Sequence, residues 1–205
     1  MMSQRRNPQT SGQSTNAVSE DAILDATYHL LLAVGLRRMT MADIARHAGV
    51  SRATLYRRWQ NVREVVAALL TREWSTAIND TVDTVDATSD APNGRQRLVD
   101  VVVRTTHMSR THPMLRKIIE LDPEFLMPYL LHRRGANTEH QLALLEKAVG
   151  NGIADGSIRA GDASELARSV LLVAWSSALT GPVLTDDFDA LDSHLRDLLE
   201  RYLTP

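Results

Sequence analysis

The chain has 205 residues, no cysteine and a formal net charge of −2, with 43% hydrophobic and 23% charged residues. A chain of this length can fold as one or two domains without a disulfide cross-link, and its composition is that of a globular protein. The absence of cysteine excludes disulfides, thiolate metal sites and cysteine nucleophiles. The slightly acidic total also argues against a nucleic-acid partner, unless the charges are unevenly distributed.

The basic residues are in fact concentrated in one short segment. Of the 23 basic residues, only Lys117 and Lys147 are lysines. Between Arg37 and Arg63 lie seven arginines and one acid, so this segment carries +6 and the rest of the chain −8. Such a segregation of charge indicates a local electrostatic surface rather than an evenly solvated coat.

The first residues of the chain are polar and lack any apolar run. Residues 1–18 are rich in Ser, Gln, Asn and Thr, which predicts a disordered N-terminal arm and no secretion signal. The alternative is a flexible arm whose Arg5 and Arg6 reach into a DNA minor groove. From Ser19 onward, apolar residues recur at three and four positions, which predicts a first helix that ends at Gly35.

Capping signals predict where the next three helices begin. Thr40 with an acid three residues later, Ser51, and Asn61 with a glutamate three residues later are each suited to a helix N-terminus. A loop is predicted at 87–94 from its Pro, Asn and Gly. Further helical patterns follow at 95–110, 114–121, 124–134, 137–154, 162–179 and 187–202.

No alternating stretch is long enough to predict a strand, so we expect an all-α protein with about nine or ten helices. The longest apolar stretch is far shorter than the roughly 20 residues that a membrane span requires. We therefore expect a cytoplasmic protein that does not associate with a membrane.

The segment from Thr40 to Trp59 has the pattern of a helix-turn-helix. This motif needs a small residue where its helices cross, a residue that tolerates positive φ in the turn, and an apolar residue that anchors the second helix. Ala45, Gly49 and Leu55 meet these requirements in order. The polar residues of the second helix then point outward, where arginines can contact guanine edges and phosphates.

Residues 22–73 resemble the DNA-binding domain of the TetR family of transcriptional regulators. The similarity lies in the segments ILDA (23–26), MTMADIA (39–45) and AGVSRATLYRRW (48–59), of which the last is the most specific. The resemblance implies an N-terminal three-helix helix-turn-helix DNA-binding domain at 19–64. A larger helical domain for effector binding and dimerisation would then occupy 65–205.

The resemblance also implies roles for individual residues. Thr40 would contact a phosphate, Arg52 would read a guanine, and Arg58 would hold the DNA backbone. Where the family usually has a lysine near the start of the fourth helix, this chain has Val62, and Arg63 would replace that contact. The predicted DNA-binding residues are Thr40, Ser51, Arg52, Ala53, Thr54, Tyr56, Arg57, Arg58 and Arg63.

The last two long helical patterns carry small and apolar side chains at three-and-four spacing. Periodicity by itself favours packing within one chain at least as well as pairing with a second copy. The resemblance favours a homodimer, which would also present two DNA-reading helices. The predicted dimer interface consists of Val170, Ala174, Ser177, Leu191, Leu195, Leu198 and Tyr202.

The middle helices are rich in large, flexible or aromatic side chains. In this family such residues often line a pocket for an apolar small-molecule effector, although ordinary core packing explains any single one of them better. The candidate pocket residues are Trp74, Ile78, Met108, Leu115, Phe125, Met127, Tyr129 and Trp175.

Together these patterns predict a sequence-specific DNA-binding regulator. The expected activity is repression, with release from a palindromic double-stranded operator when an effector binds. The alternative is an effector-independent regulator or an architectural DNA-binding protein. An enzyme is not expected, because the scattered histidines lack the spacing of metal ligands on a helix and no phosphate-binding loop is present. A metal sensor using His107 and His112 has no further support, and no cofactor or catalytic residue is predicted.

Overall fold

The structure, a computed structural model, describes residues 12–88, 93–131 and 135–205. Over these ranges it contains α-helices and two short 3-10 turns but no strand, which confirms the all-α prediction. The helices are α1 (Gly12–Val34), α2 (Met41–His47), α3 (Arg52–Tyr56), α4 (Val62–Thr88), α5 (Gly94–Thr111), α6 (Pro113–Leu121), α7 (Met127–Leu131), α8 (Ala136–Ala154), α9 (Ala163–Leu179), α10 (Gly181–Leu184) and α11 (Phe188–Leu203). The 3-10 turns are Leu36–Arg38 and Pro123–Phe125. None of the described helices is both long and apolar enough to cross a bilayer.

The chain divides into two compact units, and the boundary lies between Leu69 and Leu70. This boundary falls inside α4, five residues after the one predicted at 64/65. Helix α4 therefore belongs to the first unit at its start and to the second unit over the rest of its length.

The first helix begins earlier than its sequence pattern predicts. Residues 12–18, assigned above to a disordered arm, form the first turns of α1 in the structure. Extending an existing helix costs little compared with nucleating one, so the apolar stripe that begins at Ile23 can support polar turns ahead of it. Residues 1–11, which include Arg5 and Arg6, lie outside the described residues.

The predicted starts of α2, α3 and α4 are confirmed by hydrogen bonds at their N-termini. The Thr40 hydroxyl accepts from the Asp43 N–H at 3.2 Å, and the Ser51 hydroxyl accepts from the Thr54 N–H at 3.0 Å. The Asn61 carboxamide oxygen accepts from the N–H at position 64, three residues later, at 3.1 Å. Each bond satisfies a backbone donor that a helix end would otherwise leave without a partner.

The helix-turn-helix has the core that its sequence predicts. Ala45 and Leu55 are buried, as are Ile44 and Trp59, and these side chains connect α2 and α3 with the rest of the first unit. Gly49 lies in the turn with φ of 66°, in the left-handed region that side-chain-bearing residues rarely adopt. The predicted roles of Ala45, Gly49 and Leu55 are therefore confirmed.

Replacing Gly49 with alanine should destabilise the protein by about 1–2 kcal/mol, the cost of a left-handed backbone for a residue with a Cβ. The matched control is Gly150→Ala, within the last two turns of α8. No atom lies within 4 Å of an added Cβ at either position, so only the backbone conformation differs. In the helix, alanine should stabilise by about 0.5–1 kcal/mol. Urea denaturation gives both free energies of unfolding, and equal effects would contradict the explanation.

The second unit is built around a core shared by α5, α8, α9 and α11. Fully buried side chains from the four helices meet there, including Val99, Val149, Val170 and Leu203. The predicted helix at 124–134 is instead a 3-10 turn followed by α7, because Pro128 lacks an N–H and is tolerated only in a first turn. The same property lets Pro182 sit in the first turn of α10, at a position predicted to separate two helices.

Candidate DNA-contacting surface and internal cavity

Helix α3 presents its polar side chains on the surface of the first unit. Arg52, Ala53 and Arg57 are exposed, and Tyr56 is 54% exposed despite its large ring. Leu55 between them is fully buried, so it fixes which side of the short helix faces outward. The structure thus places four of the predicted contact residues, Arg52, Ala53, Tyr56 and Arg57, on the exposed side of this segment.

The N-terminus of α2 is closed by its own side chains. The Thr40 hydroxyl donates to one Asp43 carboxylate oxygen at 2.6 Å, and the Arg46 guanidinium donates to the other at 2.6 Å. The Thr40 hydroxyl and then the Arg46 charge hold the pKa of the Asp43 carboxyl below its ordinary value, although desolvation opposes them. The predicted contact of Thr40 with a phosphate would have to compete with this bond.

Two predicted contact residues are less accessible than their neighbours. The Thr54 hydroxyl lies 2.9 Å from the Ser51 hydroxyl, and Thr54 is half-buried. The Arg58 side chain is only 19% exposed and forms an ion pair with Glu20 of α1 at 3.4 Å. Arg58 therefore does not point outward as predicted, because this ion pair holds its guanidinium against α1. Of the remaining predicted contacts, Ser51 and Arg63 are exposed.

A partly open cavity of about 260 Å³ lies in the second unit, among α4, α5, α8 and α9. Three of the predicted pocket residues line it: Trp74, Ile78 and Trp175. Met108 lines a smaller annex of about 10 Å³, which shares three wall residues with the main cavity. The apolar character of the main cavity comes chiefly from α5 and α8, which contribute Leu98, Val101, Val102, Leu144, Leu145 and Ala148.

The other predicted pocket residues do not line this cavity. Leu115 and Phe125 are buried, but α6 and the following 3-10 turn pack on each other and use them as core. Met127 is 40% exposed. The side chain of Tyr129 lies outside the described part of the structure.

The polar residues of the cavity were missed by the sequence analysis. Thr105 and Ser109 of α5 lie one turn apart, one turn beyond Val101, on the helix face that lines the cavity. This spacing was the available signal, because residues at i and i+4 share a helix face. On α8, the carboxamide oxygen of Gln141 accepts a hydrogen bond from the Trp175 indole at 3.1 Å, which fixes the orientation of that ring.

The two histidines considered for a metal site lie in different surroundings. His107 Nδ1 is 2.6 Å from one Asp192 carboxylate oxygen, and the Arg110 guanidinium donates to the other oxygen at 2.5 Å. Asp189 lies close enough to complete a trio of potential ligand atoms within 4.8 Å. Because Asp192 already neutralises a fully buried guanidinium, this cluster is better explained as an internal ion-pair network. His112 lies instead in the annex, against Trp74 with ring centroids 5.3 Å apart.

Several residues of the predicted dimer interface belong to the core of the single chain. Val170, Ala174 and Leu195 are buried in the core that α5, α8, α9 and α11 share, which corrects their assignment to a surface. Leu191 packs beside Gly181, the half-buried Tyr202 ring lies 4.7 Å from the Arg159 guanidinium, and Ser177 is half-buried. Periodicity identified the apolar faces of both helices but could not say which one the chain covers itself.

The most exposed large aliphatic side chains of the described residues lie on α9, α10 and α11. They are Leu172 (70% exposed), Val183 (83%), Leu184 (82%) and Leu198 (48%). Of these, only Leu198 was predicted. Helix α9 packs against both α10 and α11, so these side chains lie on neighbouring elements.

Comparison with known proteins agrees with this architecture. The family model described as "Bacterial regulatory proteins, tetR family" matches residues 23–69. An uncharacterized HTH-type transcriptional regulator of Mycobacterium tuberculosis is 32% identical over 183 residues, which cover 88% of this chain and 92% of the relative.

Solved structures share the fold at lower identity. The TetR-family transcriptional repressor QsdR of R. erythropolis aligns with a TM-score of 0.68 and 18% identity, covering 91% of this chain and 95% of QsdR. The SmeT–triclosan complex aligns with a TM-score of 0.60 and 20% identity, covering 91% and 92% of the two chains. The Mycobacterium relative and QsdR are both transcriptional regulators by name. The helix-turn-helix, the helical second unit and the near full-length match together show that the chain belongs to the TetR family of bacterial transcriptional regulators.

Proposed function

We propose that this regulator is a homodimeric repressor that binds a palindromic operator through α3 and is released from it by a small-molecule effector. The observation that carries the DNA-binding part is the surface of α3. There Arg52 and Arg57 are exposed beside Tyr56, while Leu55 anchors the helix in the core. Forked guanidinium donors on an exposed helix suit guanine edges and phosphates.

The exposed apolar surface of α9–α11 supports dimerisation. Four large aliphatic side chains on neighbouring helices form the kind of patch that marks a protein interface. A two-fold dimer would bring two copies of α3 to two half-sites of one operator, one helical turn or a multiple of it apart. Recognition of two half-sites at once explains how a helix of five residues can achieve specificity for one DNA sequence.

The cavity supports the effector part of the proposal. It is close to the size of small-molecule sites, which are about 300–1,000 Å³, and its walls are mainly apolar. Helix α4 contributes Trp74, Ile78 and Val82 to these walls and continues without interruption from the DNA-binding unit. A ligand that favours one position of α4 would thereby change operator affinity. Consistent with this, the structural neighbour SmeT has been solved with triclosan.

Selection of bound fragments from a pool of random DNA tests the proposal. The expected result is a palindromic motif, whereas a motif without symmetry or no enrichment would contradict it. With the selected operator, Arg52→Ala should lose about 1–3 kcal/mol of binding free energy and relax specificity at one position of each half-site. The control Arg116→Ala removes an exposed arginine of α6, outside both proposed surfaces, and should bind like the wild type. Equal affinity and specificity of the two variants in fluorescence anisotropy would rule out α3 as the reading helix.

A further inference from the structure

The two ends of the cavity differ in chemistry. Because the Gly94 N–H donates to Asp155, just beyond the end of α8, the start of α5 lies beside the end of α8. Arg97 and Lys147 therefore line one end of the cavity, and Thr105, Ser109 and Gln141 line the other. Arg97 and Thr105 are eight residues apart along α5, which corresponds to about 12 Å of helix, so the cavity is elongated, with apolar walls between the two polar ends.

The charges around the cavity disfavour a cationic ligand and give an anion little attraction. Among the described residues, no carboxylate lines the walls, so a buried cation would have no counter-charge. Arg97 already donates hydrogen bonds to both carboxylate oxygens of Asp86, and the longer of the two bonds measures 2.6 Å. Lys147 is exposed, and water screens such a charge strongly.

The opposite end holds two enclosed polar atoms that form no hydrogen bond with any described residue. These are the Thr105 hydroxyl oxygen and Nδ1 of His112. Both residues line the annex, which is just large enough for one water-sized group, and Thr105 also lines the main cavity. Burial lowers the pKa of His112, although the Glu73 charge opposes it, so the ring is neutral near pH 7. A buried polar atom without a partner is costly, so a ligand that supplies the partner gains affinity.

We propose that the effector is an uncharged, elongated, mainly apolar molecule with a hydroxyl group at one end, and that Thr105 and His112 bind this hydroxyl. A hydroxyl both donates and accepts, so it can accept from the Thr105 hydroxyl and donate to the imidazole nitrogen. The apolar walls between the two polar ends contact the body of the ligand. This inference rests on the proposed function only in calling the ligand an effector.

Calorimetric titration of the full chain without DNA tests the ligand class. The probes are 1-octanol, octanoate and octylammonium, which share a chain of eight carbons and differ in charge. The alcohol should bind at least about tenfold more tightly than either ion, because neither enclosed atom compensates a buried charge. Octanoate or octylammonium binding as tightly as 1-octanol would overturn the proposal, as would a failure of 1-octanol to bind.

A variant tests the role of Thr105. Thr105→Val keeps the side-chain shape and removes an unsatisfied hydroxyl, so it should fold at least as stably as the wild type. It should bind 1-octanol about tenfold more weakly, the loss of about one hydrogen bond, and bind 1-chlorooctane, which lacks the hydroxyl, with unchanged affinity. The control Thr76→Val, at an exposed position of α4, should change neither affinity. An equal loss for both probes, or no loss for 1-octanol, would overturn the assignment of Thr105.

The same preparations are then assayed for operator binding with and without 1-octanol. Alcohol binding without operator release would contradict the effector role in the proposed function but would leave the ligand class established. A protein that binds the operator but does not bind the alcohol would contradict the ligand class and would leave the DNA-binding part of the proposed function intact.

Discussion

Replacing Asp192 with alanine is expected to destabilise the second unit by about 3–5 kcal/mol, the usual cost of removing one partner from a buried ion pair. The Arg110 side chain is fully buried, and its guanidinium donates to Asp192 at 2.5 Å. It also donates to the Phe188 carbonyl, at 3.3 Å, but a carbonyl cannot neutralise its charge. The variant would leave an enclosed positive charge without the carboxylate that pairs with it, which is unfavourable in a medium of low dielectric.

The matched control for this variant is Asp197→Ala on the same helix. Asp197 pairs with Arg201, but both side chains are largely exposed, so its loss should change the free energy of unfolding by less than about 0.5 kcal/mol. Urea denaturation followed by far-UV circular dichroism measures both variants. Similar stabilities for the two would show that Arg110 finds another partner or is accessible to water.

The second large effect is expected at the apolar surface of α9–α11. Leu184→Glu should raise the dimer dissociation constant by at least about a hundredfold, because a two-fold interface would bring both new carboxylates into an apolar contact. Leu184 is 82% exposed in the single chain, so the change should leave the fold of each protomer intact. Operator affinity should fall with dimerisation, since each half-site would then be bound separately.

Analytical ultracentrifugation at micromolar concentration measures the association state. Ile119→Glu is the control, because Ile119 is an exposed aliphatic residue of α6 outside this surface. The control should sediment like the wild type. A Leu184→Glu protein that remains dimeric would place the interface elsewhere, and a monomeric wild type would contradict the homodimer itself.

The helix-turn-helix could be predicted almost completely from sequence, and its interactions explain why. Thr40, Ser51 and Asn61 each cap a helix through a hydrogen bond to a residue three positions later. Gly49 is required by the local backbone angle of a tight turn. Such interactions are complete within a few residues, so the local sequence specifies them regardless of what packs around them.

The second unit shows where this reasoning stops. Val170 and Leu172 are both aliphatic residues of α9, yet the first is fully buried in the chain's own core and the second is 70% exposed. A helical pattern with apolar residues on more than one face does not show which face the chain will cover. Arg58 is a similar case, since its ion pair with Glu20 joins positions 38 residues apart.

The sequence by itself determined the class of the protein, the starts of α2, α3 and α4 and the surface proposed to contact DNA, because these depend on local hydrogen bonds, periodicity and clustered charge. Only the tertiary structure decided which apolar residues form the core, which remain exposed on α9–α11, and which line a cavity. Thr105 and His112 come to share one annex because α5 ends and α6 begins beside Trp74 of α4. Such proximity is set by the packing of whole helices, and no local pattern encodes it.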